Sequence, residues 1–203
     1  MVSINNCMRQ YNAKDIESMF NQYEQHVSHV VVAHTLHRPY VASTNIGRFK
    51  HVRADQYIKT KMEQTSKDTR YALNCFYKLL YPNHTNRPTQ NPHIFKPLTF
   101  VTIEGAKETT DRSQTIHINI SLGNLPSVLN VDDIETLFRH AWHDMAHQSN
   151  DVKAYYYYKV DGALRWAGYS LKEAQQSKRK AWDDNSIWDV SNCWISHTAL
   201  KAD

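Results

Sequence analysis

Nowhere does the chain contain the roughly 18 consecutive apolar residues that a membrane-spanning helix needs, and its opening, MVSINNCMRQYNAKD, lacks the apolar centre of a secretory leader. These absences lead us to expect no membrane partner and a cytoplasmic location. Cysteine is scarce. Cys7, Cys75 and Cys193 are odd in number, far apart and without a CxxC. Reduced thiols fit that usage, and a zinc–cysteine site does not. No GxxxxGK[ST] occurs among the sparse glycines, so the chain carries no recognisable helicase motor. Internal repeats, low-complexity segments and linkers are also missing, and 203 residues are then most economically one domain, 1–203. Neither charge sign dominates: a net +4 and a pI near 8.9 permit a polyanionic partner without requiring one.

What the chain does have is twelve tyrosines, twelve histidines and five tryptophans, side chains suited to base stacking, proton transfer and metal ligation. A short amphipathic helix is expected over 13–26, followed by an apolar, β-branched strand over 29–35. A loop over 36–53 carries Arg38, Arg48, Lys50 and Arg53, and a helix follows over 54–80. Pro82, Pro88, Pro92 and Pro97 make the next segment irregular. LTFVTIEG and TIHINISL read as two strands joined by a polar turn. Asp132 and Asp133 mark the start of a helix in VDDIETLFRHAWHDMA. A strand over 154–160, a helix over 162–182 and a tryptophan-bearing tail that can fold back complete the order.

The resulting order, βαββαβ, predicts an α+β fold with an antiparallel sheet, helices on one face and an open opposite face. In TIHINIS, Ile116, Ile118 and Ile120 would face the helices, and His117 and Asn119 the open side. A half-exposed strand produces the same alternation without any function. Two further features accompany it: Glu104 ends the strand expected to pair with TIHINIS, and Tyr169-Ser170-Leu171-Lys172 forms a Tyr-x-x-Lys on the late helix.

Strand glutamate, strand His-x-polar and helix Tyr-x-x-Lys, in this order, resemble the HUH endonucleases. The likeness is nearer to the rolling-circle replication initiators with a single catalytic tyrosine, and it covers roughly residues 29–180. The resemblance implies Mn²⁺ or Mg²⁺ held by His117, Asn119 and Glu104, with Tyr169 as nucleophile and Lys172 beside it. It also implies single-stranded DNA, at an origin or hairpin, as substrate, along with a separate helicase and a prokaryotic host. Arg38, Arg48, Lys50, Lys159 and Arg165 are the implied DNA contacts, and an ordinary solvated loop is the alternative for the first three. The family pattern has His-hydrophobic-His, whereas the second position here is Asn119. An amide carbonyl suits a hard ion and not a soft one.

The chemistry itself asks for such parts. A phenolate attacks phosphorus and is also a good leaving group, so the covalent step can be reversed. Its ordinary pKa near 10 calls for a neighbouring cation, and Lys172, one helical turn on, can face the same site. Tyr155 to Tyr158 are rival nucleophiles or stacking platforms, alternating between faces. Glu108 is the alternative to Glu104. His34 and His37 have three readings: orienting the tyrosine, contacting DNA, or structure. His140, His143 and His147 lie opposite an apolar stripe of Ile134, Leu137, Phe138, Ala141 and Met145, so a solvated face is expected there rather than a metal site. A platform that binds nucleic acid without cutting it is the competing reading, motivated by Asn119. A transposase or relaxase of the same chemistry is another.

Overall fold

The computed structural model describes residues 13–39, 50–105, 112–157 and 188–195. In chain order the elements are α1 (Ala13–Tyr23), β1 (Val27–His34), α2 (Lys50–Leu79), α3 (Arg87–Gln90), α4 (Pro92–Phe95), β2 (Leu98–Glu104), β3 (His117–Gly123), α5 (Val131–Arg139) and β4 (Val152–Tyr156). The four strands form one antiparallel sheet in the order β2-β3-β1-β4. The fold is mixed α and β.

Alternation along the strands sorts their side chains. Ile118 and Ile120 on β3 stand beside Ala33 and Val31 on β1 and beside Ile103 and Val101 on β2. This face packs against α2 and α5 through Phe76, Phe138 and Trp142, all fully buried. Burying a side chain of this size contributes roughly 1.5–3 kcal/mol.

The opposite face is not the open platform that alternation alone suggests. Phe20 of α1 meets Phe100 edge-on at 5.2 Å, and Trp188 stacks on Phe100 at 5.6 Å. With Val27, Val30 and Leu98 they form a second, smaller core at one end of the sheet. β2 is therefore buried along its whole length. Its outer edge is covered as well. Thr99 exchanges backbone hydrogen bonds with Trp194 (2.9 and 2.7 Å), and Asp189 N donates to Val101 O at 3.0 Å. The tail thus folds back on the domain over 188–195, as its tryptophans suggest.

Several boundaries differ from the expectation. α2 begins at Lys50, so Lys50 to Arg53 belong to a helix and not to the preceding loop. The proline-rich segment condenses into two single turns, α3 and α4, each with proline in its first turn, where the missing N–H costs nothing. α5 starts on a reciprocal cap. Asn130 Oδ1 accepts from Asp132 N and Asp133 N, while Asp133 Oδ2 accepts from Asn130 N. It then widens into a π-turn over His140–Met145, with Ala146 N donating to Ala141 O at 3.1 Å. The extra residue shifts the helical phase. Met145, expected on the apolar stripe, becomes exposed, and Trp142 enters the core instead.

Candidate functional site

The polar end of the face opposite α2 and α5 is built by three neighbouring strands. Glu104 closes β2, His117 opens β3 and His34 closes β1, and cross-strand register places them side by side. One step inward lies a second row of Thr102, Asn119 and Val32. Five of these six side chains are polar, on a sheet whose other face is wholly apolar here.

The sequence-predicted ligands come together. Glu104 Oε2 accepts from Asn119 Nδ2 at 3.0 Å and lies 3.3 Å from His117 Nε2. Glu104 is fully buried, Asn119 is 1% exposed, and the His117 side chain keeps 17% exposure, so the group is reached through the histidine. Asn119 Oδ1, Thr102 Oγ1 and Ser121 Oγ are buried without a hydrogen-bond partner among the described residues. Such atoms carry a desolvation cost of roughly 1–3 kcal/mol each until something meets them.

Gly105 turns the chain sharply after Glu104. Its φ of +77° is left-handed, and a Cβ there would sit 2.5 Å from Thr115 O and 3.2 Å from His117 Nδ1. The His34 ring stacks on His117 at 5.1 Å, and its Nδ1 bonds Thr115 Oγ1 at 2.8 Å. Burial, reinforced by the neighbouring His117 and opposed by Asp151, pushes the His34 imidazole below its ordinary range. The π-turn fixes this residue from behind, because Trp142 Nε1 donates to His34 O at 2.8 Å. In front lies a cleft of about 420 Å³ lined by His34, His117, Gln114, Thr115 and Asp151 among others.

His37 takes the structural reading. Its Nε2 is 2.9 Å from Asp68 Oδ2 on α2, and Gln148 bridges the same carboxylate to Leu36 N. Arg38 is exposed and donates to Arg112 O at 2.9 Å, which ties the segment after β1 to the segment before β3. Tyr155 is 52% exposed on the face opposite α2 and α5, two strands and two residues from Asn119, roughly 12 Å by strand spacing. Tyr156 rests against His29 at 5.0 Å, and Tyr157 donates to Glu24. His140 and His143 are exposed and bonded locally to Asp144 and Gln148 O. Tyr158, Arg48, Glu108, Lys159, Arg165, Tyr169 and Lys172 lie outside the described residues, as does the side chain of Lys50.

Thr102, Thr115, Asp151 and Trp142 escaped the sequence reading. Thr102 was within reach, two residues before Glu104 on the same face; the other three meet the site only through tertiary packing.

Among the described residues no group of three or more His, Cys, Asp and Glu side chains is arranged to hold a metal ion. His117 and Glu104 supply two such donors, and a third would have to be the Asn119 amide. That set suits a hard ion: cis ligands around Mg²⁺ or Mn²⁺ at about 2.1 Å lie roughly 3 Å apart, close to the 3.3 Å between His117 Nε2 and Glu104 Oε2. A half-turn of the Asn119 amide exchanges its nitrogen for the unpartnered oxygen. Comparison with protein-family models, with curated proteins and with solved structures finds no match to this chain.

Proposed function

We propose that the chain is a DNA strand-nicking and strand-joining enzyme of the HUH kind, most closely a rolling-circle replication initiator, built on a βαββαβ frame. The observation that carries this reading is the convergence of His117, Asn119 and Glu104 on one buried point at the rim of a polar cleft. His117 and Asn119 both stand within hydrogen-bond range of the same Glu104 oxygen.

A hard divalent ion held by these three would polarise the scissile phosphate and offset the charge that builds on it. The protein groups do the rest. Tyr169 loses its hydroxyl proton to solvent and attacks phosphorus as the phenolate, a tyrosyl O–P bond forms, and the P–O3′ bond breaks. The 3′ oxygen takes up a proton, for which Lys172 is the candidate donor. Attack by a 3′-hydroxyl on the phosphotyrosine reverses the sequence and rejoins the strand. Substrate is single-stranded DNA at an origin or extruded hairpin, opened by a helicase on another chain.

Full-length protein incubated with Mn²⁺ and a broad pool of labelled single-stranded oligonucleotides should give a covalent adduct on denaturing gels. The adduct should vanish in Tyr169→Phe. Its absence from the wild-type chain across the pool overturns the reading, and persistence in Tyr169→Phe moves the nucleophile elsewhere. Glu104→Gln, nearly isosteric, should weaken Mn²⁺ binding at least tenfold by calorimetry.

The amide in the third ligand position favours one second reading, a nucleic-acid-binding platform that does not cut. In that case the wild-type chain binds single strands, forms no adduct, and binds them equally well with metal absent.

A further inference from the structure

Between Asp68 and Glu104 the chain has no carboxylate, yet it carries Arg70, Lys78, Arg87 and Lys96. The fold gathers two of these cations on aromatic rings. Lys96 Nζ lies 4.3 Å from the Trp194 ring centre and 5.4 Å from that of Tyr77, and the Arg87 guanidinium lies 5.0 Å from that of Phe95. Phe95 in turn meets Tyr81 edge-on at 5.4 Å, and His93 tilts against Trp194 at 5.7 Å. Neither Arg87 nor Lys96 has an acidic partner among the described residues. A ring quadrupole holds a cation in place without cancelling its charge, so the surface stays positive.

The cluster is also preformed. Two single turns with proline among their first two residues, α3 and α4, set its backbone, and Trp194 is tied to Thr99 by paired backbone hydrogen bonds. Ile94 is 71% exposed there, and Asn83, Asn86, Gln90 and Asn91 are exposed around it. The patch stands at the start of β2, six residues and roughly 20 Å from Glu104.

We infer that this surface binds single-stranded nucleic acid, the cations meeting phosphates while the partly exposed rings and amides meet unpaired bases. Fixed cations for a backbone and rings for bases are the two elements that single strands engage together; a duplex hides its base faces. The inference does not rest on the nicking reading.

Anisotropy titration of the full chain with a labelled, mixed-sequence single-stranded DNA, in a chelator-containing buffer, tests it. Arg87→Gln/Lys96→Gln should weaken binding at least roughly tenfold and lower the slope of log affinity against log salt by about two. Arg87→Gln alone, which leaves Lys96 on Trp194, should lower it by about one. Unchanged affinity and slope in the single and double variants overturn the inference. So does duplex of the same sequence bound as tightly, or an acidic peptide that displaces the oligonucleotide at equal charge concentration. Because metal is absent and the substitutions lie at the far end of β2, failure here and failure to form the covalent adduct are separate results.

Discussion

Buried polar side chains decide most at the scale of single residues, because each must be met by a partner or bear the loss of water. Asn119 meets Glu104 with its nitrogen and leaves its oxygen unmet, an arrangement that ion binding would reverse. His29 is the other case. It is 7% exposed, its Nδ1 bonds Ser28 Oγ, and its Nε2 is buried without a partner. Burial pushes its imidazole below the ordinary 6.5. The unfolded chain then binds more protons than the folded one as pH falls below about 6.5, so stability drops through that window and levels off below the folded pKa. His34 acts in the same direction. Urea midpoints measured between pH 7.5 and 5 should fall for the wild-type chain and fall less for His29→Phe.

At the scale of elements, the sheet has two edges, and each is closed differently. β2 is covered by the folded-back tail. β4 is closed by side chains from α5: Glu135 accepts from Ala154 N at 2.9 Å, and Arg139, paired with Glu135, donates to Val152 O at 3.0 Å. Burial pushes the Glu135 carboxyl up, but Ala154 N–H, Arg139 and Lys153 outweigh it and hold it below the usual carboxylate range. An exposed strand edge is a template for pairing with a second chain. Glu135→Ala/Arg139→Ala frees that edge, and light scattering should show concentration-dependent association stronger than that of the wild-type chain. The existence of each strand was readable from residue type, an apolar β-branched run in β1, alternation in β3 and a tyrosine run in β4. The end of α5 was not, since a π-turn has no pattern in residue type and is imposed by seating Trp142 in the core.

At the scale of the molecule, two hydrophobic cores lie on opposite faces of one sheet. The smaller depends on residues far apart in sequence, Phe20 from the beginning and Trp188 from the end. Cys193 bonds into the same corner, accepting from Val101 N and Trp188 Nε1, and burial pushes its thiol up to about 12. Its contacts make it a packing residue of this corner. Trp188→Ala should cost roughly 3–5 kcal/mol by chemical denaturation, with faster hydrogen exchange at Thr99 N and Val101 N than elsewhere in β2.

Residue pattern determined that the strands exist, that the isoleucines point inward and that His117 and Asn119 share the other face; only the resemblance to the HUH endonucleases joined Glu104 to them as a trio. A period of two assigns faces, and a hairpin brings consecutive strands into register. What the tertiary structure decided is everything that depends on distant segments meeting: His34 beside His117, Trp142 behind it, the closed half of the second face, and the rings under Lys96 and Arg87. Local pattern records which side a residue faces, but only packing determines what stands there to meet it.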